Sequence, residues 1–259
     1  MPMIRLKSKD DIEIMHEGGK RHAEILRALK EMVTPGMSTL VLEEEALRLV
    51  RAHGDKPAHL HYTPKGAPRP FPAVLCISVN DEIVHGIPNE PEKILQQGDI
   101  VAIDLSIEHK GLITDSAITV PVGAIDDESR RLLDVTQKAL EAGIKAARPG
   151  KHIGDIGAAI SRVVDASGFS LAEDLAGHGV GFELHEEPFV PNVGVFGEGE
   201  ELVPGMVIAI EPMVNVGGPE IADTDDGYTI VTADGSRAAH FEHTVAITEE
   251  GNIILTSNQ

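Results

Sequence analysis

The chain repeats itself, and that constrains its fold more than any other feature. GDIVAID (98–104) and GMVIAIE (205–211) match at an offset of 107 residues: Gly98, Val101, Ala102, Ile103 and Asp104 fall on Gly205, Ile208, Ala209, Ile210 and Glu211. Each copy reads as a buried strand ending in a carboxylate. A helix–Pro-Gly–helix pattern also recurs, with Pro35-Gly36 answered by Pro149-Gly150, 114 residues later. Coincidence among short Gly-Ile-Val strings is the bland alternative, but two similarities in the same chain order argue against it. Two α/β halves are expected, roughly 8–125 and 126–250, duplicated and folded into a single domain over 1–259.

Residues 8 to 34 read as a helix, with Ser8 as its cap and Ile12, Met15, Gly19, His22, Leu26 and Leu29 at helical spacing. A second helix is predicted from about Ser38 to His53. Residues 57 to 72 are proline-rich and loop-like. VLCISVN and EIVHGIP read as strands, and DIVAIDLSIEHKGLITDSAITVPVG as a hairpin. Helices over Asp127 to Arg148 and Ile153 to Ser167 open the second half, and strands follow. The fold class is mixed α/β (α+β).

Composition removes several function classes. Lys and Arg number 22 against 42 Asp and Glu, a formal net charge of −20, which repels phosphate and argues against DNA and anionic membrane as partners. Trp is absent and aromatic residues are 3%, so there are few platforms for stacking bases. One cysteine, Cys76, excludes an internal disulfide and a Cys-based zinc cluster. No apolar run approaches the ~18 residues of a membrane span, and the first residues lack a signal-peptide core. A soluble, cytoplasmic protein is expected. The 12 His and 42 acids leave room for an oxygen- and nitrogen-ligated metal site.

Asp104 ends the run IVAID, and Asp115 lies 11 residues on, in GLITDSAIT. A turn at His109-Lys110-Gly111 would set the two opposite each other on adjacent strands, with facing Cβ atoms ~5 Å apart. Two ionised carboxylates that close need a shared proton or a cation between them. From these two residues alone, one Asp facing solvent is the better reading. The second half changes the weighting. AGHGVGFELHEEP holds His178 and His185, with glycines at 177, 179 and 181 that suit a backbone packed close to a ligand. Their odd spacing of seven gives them different faces of one strand, hence different jobs, unless a turn intervenes. Glu211 follows an apolar strand as Asp104 does, and Glu242 precedes one. Four acids and His178 form a plausible cage for two divalent ions, of the kind that carboxylates bridge ~3.5–4 Å apart. Oxygen ligands with one imidazole suit Mn²⁺, Fe²⁺, Co²⁺ or Zn²⁺. His85, before Gly86-Ile87-Pro88, is either a structural histidine or a substrate contact.

CISVNDEIVHGIP, GDIVAIDLSIEHKGLITDSA, GHGVGFELHEEP, AIEPMVN and FEHTVAIT together resemble the signature blocks of the type I methionine aminopeptidases, in order, over nearly the whole chain. The resemblance implies the duplicated pita-bread fold, with central antiparallel sheets covered by two pairs of helices. It implies that Asp104 chelates one metal ion, that Asp115 and Glu242 bridge two, and that His178 and Glu211 hold the second. His185 and His85 would then contact the substrate carbonyl and scissile region, with Glu211 also accepting a proton. The implied reaction is removal of the N-terminal methionine from nascent polypeptides with a small second residue. The implied enzyme is a monomer whose partners are nascent N-termini and, through that role, the ribosome, although a charge of −20 offers no obvious basic patch for it.

The methionine pocket of that family maps onto Tyr62, Phe71, Cys76, Leu184 and Tyr228. Leu184 stands where Phe is usual, Tyr228 where Trp is common, and the link from Tyr62 to Phe71 is long. That link, Thr63 to Pro70, is either a semi-rigid lip over the pocket, with Lys65 and Arg69 offsetting the site's carboxylates, or an ordinary solvent loop. Two other outcomes belong to the same fold: an X-Pro peptidase of the prolidase or aminopeptidase P type, which normally carries an N-terminal domain, and a non-catalytic peptide-binding homologue, which would have lost metal ligands.

Overall fold

A computed structural model describes residues 3–257. The first half comprises α1 (Lys9–Met32), α2 (Thr39–Ala52), β1 (Lys56–Pro57), β2 (Leu75–Val79), β3 (Glu82–Val84), β4 (Ile100–His109) and β5 (Leu112–Pro121). The second comprises α3 (Asp127–Ala146), α4 (Ile153–Asp165), β6 (Ser170–Leu171), β7 (Ala176–Gly179), β8 (Glu186–Pro191), β9 (Val207–Ile210), β10 (Met213–Asn215), β11 (Ile221–Asp223), β12 (Ile230–Thr232), β13 (Ala238–His240), β14 (His243–Thr248) and β15 (Gly251–Ile254). Two helices followed by antiparallel strands therefore occur twice. All four predicted helices are present, each two or three residues shorter than predicted.

The caps explain where the helices begin. Ser8 accepts from Asp11 N–H while the Asp11 carboxylate accepts from Ser8 N–H, a reciprocal capping box. Asp126 caps α3 through the N–H of Ser129. The apolar stripe of α1 (Ile25, Leu26, Leu29) joins Leu42, Ala46 and Val50 of α2 against Leu75, Ile77, Ile103 and Leu105. In the second half Leu132, Leu140, Ile156 and Ile160 pack on Ile208, Ile210 and Val245. With Trp absent, branched aliphatics fill both cores.

β4 pairs with β5, β2 and β1; the second large sheet runs β15-β14-β9-β7-β8. The halves meet where β5 crosses β14. Asp115 N–H donates to Thr244 Oγ1 (2.8 Å), which donates back to Asp115 O (2.7 Å), and Glu242 N–H donates to Ala117 O (2.9 Å). This seam carries the acids of both halves to one place.

One register differs from expectation. Asp115 faces Ser106, and Asp104 faces Ala117. The turn is the two-residue Lys110-Gly111, with φ of 50° and 86°, so His109 pairs with Leu112. Both turn residues are left-handed, as a two-residue hairpin prefers. The two Asp are therefore diagonal neighbours on one face of the hairpin.

Candidate active site

A cavity of about 200 Å³ opens at the seam, and Asp104, Asp115, His178, Glu211 and Glu242 all line it, together with His85 and His185. All five expected metal ligands thus converge, from sequence positions 138 residues apart at the extremes. Asp115, His178 and Glu242 each present a ligand atom within 4.8 Å of the others. His178 Nε2 lies 3.3 Å from Glu211 Oε1 and 3.9 Å from Asp115 Oδ2.

The cluster is electrostatically costly without a cation. Burial, and then the charge of Asp115, raise the Asp104 carboxyl well above its usual range. Burial lifts Asp115 to about 7, opposed by the hydrogen bond from Ser106. Burial and the neighbouring carboxylates raise Glu211 and Glu242 in the same direction. Burial lowers His178 to about 4, so its imidazole is neutral and its lone pair free. Asp104 Oδ1, Glu242 Oε1 and His240 Nε2 are buried with no hydrogen-bond partner. Orphaned acceptors among crowded acids, plus a neutral imidazole, are the donor set that a divalent cation satisfies.

The two histidines of GHGVGFELHEEP do share the cavity, because a turn intervenes. His178 lies on β7, His185 follows the turn, and their rings meet edge-on with centroids 4.3 Å apart. His178 is deep and His185 exposed at the mouth, where its Nδ1 is 2.9 Å from the Tyr62 hydroxyl. The glycines around His178 pack against backbone, where a ligand was expected. A Cβ on Gly177 would sit 2.3 Å from Ala209 O, and one on Gly179 2.1 Å from Glu187 O. They let β7 close on β9 and β8.

His85 lines the cavity with a left-handed backbone, φ 59°, rare for a residue bearing a Cβ. Phe71, Cys76 and Tyr228 assemble with Ala73 and Ile87 into one apolar cluster. Cys76 faces Asp104 across the β2–β4 ladder, which sets this cluster beside the acids. Leu184 is buried next to His185 but is not on the cavity wall.

The Thr63–Pro70 loop is tied as expected at its ends: Phe71 N–H donates to Tyr62 O (2.8 Å) and His61 N–H to Phe71 O (2.9 Å). Its Arg69 is engaged outside the cavity. It pairs with Glu90 (2.6 Å) and donates to Asp226 O (3.3 Å).

Two histidines at the site are not singled out by the sequence. Ser106 Oγ donates to Asp115 Oδ1 (2.7 Å) and lies 2.8 Å from His59 Nε2, so its one proton is used and His59 must donate from Nε2. His59 thereby positions Asp115 from within the proline-rich stretch. His240 lies 3.6 Å from Glu211 Oε2 and 3.9 Å from Glu242 Oε2. Its place two residues before Glu242 in the chain was the available signal.

Comparison with known proteins matches residues 13–249 to metallopeptidase family M24. The chain belongs to that family. It is 46% identical to a methionine aminopeptidase of Aquifex aeolicus, over 98% of both chains. The structure superposes on that of a methionine aminopeptidase from Thermotoga maritima with a TM-score of 0.93, at 42% identity, covering 99% of this chain and 100% of that one. A Pyrococcus furiosus prolidase shares the fold alone, with a TM-score of 0.74 at 23% identity; this chain covers 66% of it. These neighbours establish the pita-bread architecture. No helix among the described residues is long and apolar enough to cross a membrane.

Proposed function

We propose that the chain is a dinuclear aminopeptidase that removes the N-terminal methionine from nascent polypeptides whose second residue is small, acting in the cytoplasm. The observation that carries this reading is the convergence of all five ligands on one cavity, in a chain 46% identical to a methionine aminopeptidase. Asp104 would hold one ion, His178 and Glu211 the other, and Asp115 and Glu242 both. Divalent ions bound there would polarise the scissile carbonyl and acidify a water.

The chain's own groups supply the rest. With the Tyr62 hydroxyl donating to His185 Nδ1, 2.9 Å away, the imidazole proton would sit on Nε2, ready to donate to the developing oxyanion. Glu211, on the cavity wall beside His178, would take the proton of the attacking water. His85 would contact the substrate from the cavity wall. The Phe71–Cys76–Tyr228 cluster would take the methionine side chain, with Tyr62 at the mouth and Leu184 backing His185.

The test is hydrolysis of Met-Gly-Met, Met-Leu-Met and Ala-Pro-Ala, before and after chelation and re-addition of Co²⁺, Mn²⁺, Fe²⁺ or Zn²⁺. Only Met-Gly-Met should turn over, and only with metal. Cleavage of Ala-Pro-Ala, equal kcat/KM on Met-Leu-Met, or full activity in chelated protein would refute the reading.

A further inference from the structure

His240 has a buried Nε2 with no hydrogen-bond partner, and it points at two of the expected metal ligands. Its place is fixed from both sides. β13 pairs with β10, setting His240 opposite Met213. Thr119 Oγ1 accepts from His240 N–H (2.9 Å) and donates to His240 O (2.7 Å). The Glu211 carboxylate thus lies between two imidazoles, Oε1 toward His178 at 3.3 Å and Oε2 toward His240 at 3.6 Å.

At 3.6 and 3.9 Å, His240 Nε2 is too far from either carboxylate for a hydrogen bond. The separations instead suit atoms sharing an ion: two ligands each ~2.1 Å from a metal at a tetrahedral angle are ~3.4 Å apart. His178 shows the same spacings, 3.3 and 3.9 Å, to its own carboxylate neighbours. We infer that His240 is a sixth protein ligand, a second imidazole on the ion held by His178 and Glu211 and shared by Asp115 and Glu242. This rests on the metallopeptidase reading above. It makes the two ion positions chemically unequal. The His178–His240 position is nitrogen-rich and should prefer Fe²⁺, Co²⁺ or Zn²⁺ over Mn²⁺ and Mg²⁺, which favour oxygen.

The experiment is ¹¹³Cd NMR of the full chain labelled with ¹⁵N-histidine and loaded with ¹¹³Cd²⁺, with Co²⁺ affinity measured by calorimetry. One cadmium resonance should show coupling to two imidazole nitrogens. His240→Gln should remove one coupling and His178→Ala the other. His240→Gln should also weaken Co²⁺ binding at one site by more than ~100-fold, beyond the ~10–100-fold that losing an outer partner costs. A cadmium coupled to one imidazole in the unmutated protein would overturn the assignment while leaving the metallopeptidase reading intact. That count needs no variant, so it decides even if His240→Gln fails to fold. An unmutated protein that binds no ion at all would overturn both.

Discussion

Filling the site with divalent ions should expel protons, and the carboxylates should set how many. Asp115 is raised to about 7 by burial, and Asp104, Glu211 and Glu242 are raised for the same reason. His178 is lowered to about 4 and carries no proton to lose above pH 5.5. Ligands must be deprotonated to bind, so apparent affinity rises with pH up to the carboxyl pKa and flattens above it. For Asp115 alone, with its value of about 7, the ionised fraction grows from roughly 3% at pH 5.5 to about half at pH 7, an increase of about 15-fold in affinity. The other three acids add to the slope. At pH 6, binding should release about one proton from Asp115 and further protons from its neighbours. Calorimetric titration with Co²⁺ in two buffers of different protonation enthalpy measures that release directly. Affinity constant from pH 5.5 to 7, with no net proton release, would show the metal-free acids already ionised. The burial argument would then be wrong.

Other perturbations separate the roles of neighbouring groups. His178→Ala should weaken metal binding, whereas His185→Ala should keep its metal and lose ~10²–10³ in kcat; equal metal loss in both would show the roles misassigned. Gly179→Ala drives a Cβ to 2.1 Å from Glu187 O, a backbone atom that cannot swing aside, so thermal unfolding should show a loss of at least ~1–3 kcal/mol. Replacing Thr63–Pro70 by a two-residue link should raise KM for Met peptides severalfold at unchanged metal content; unchanged kinetics in a folded variant would make the segment a spacer.

What the sequence revealed, and what it hid, follows from the range of the interactions involved. The Ser8 cap, the apolar stripe of α1 and the Ile-Val strands are local, and each was legible. The β4–β5 register was missed by two residues in strand pairing because it is decided by whether Lys110 joins Gly111 at positive φ, which composition does not announce. The glycines around His178 were legible as close contacts but not as contacts with Ala209 O and Glu187 O, since strand order in the sheet assigns those neighbours. His59 was hidden inside a proline-rich stretch. Its role exists only because Ser106 stands across from Asp115.

The site itself is a product of the duplication. Each half contributes two acids, Asp104 and Asp115 from the first, Glu211 and Glu242 from the second, and neither half holds a complete cage. β5 and β14 bring the pairs together through backbone and Thr244 hydrogen bonds, so assembling the site and docking the halves are the same event. The histidines break this symmetry. His178 and His240, both from the second half, flank Glu211, while Asp104 has Cys76 and His59 beside it, each offering an atom within 4.8 Å of the others. Two ions bound between such unlike walls would be held with unequal strength. The reaction proposed here gives the two positions different tasks, one orienting the chain end while the acids and His185 act on the adjacent bond.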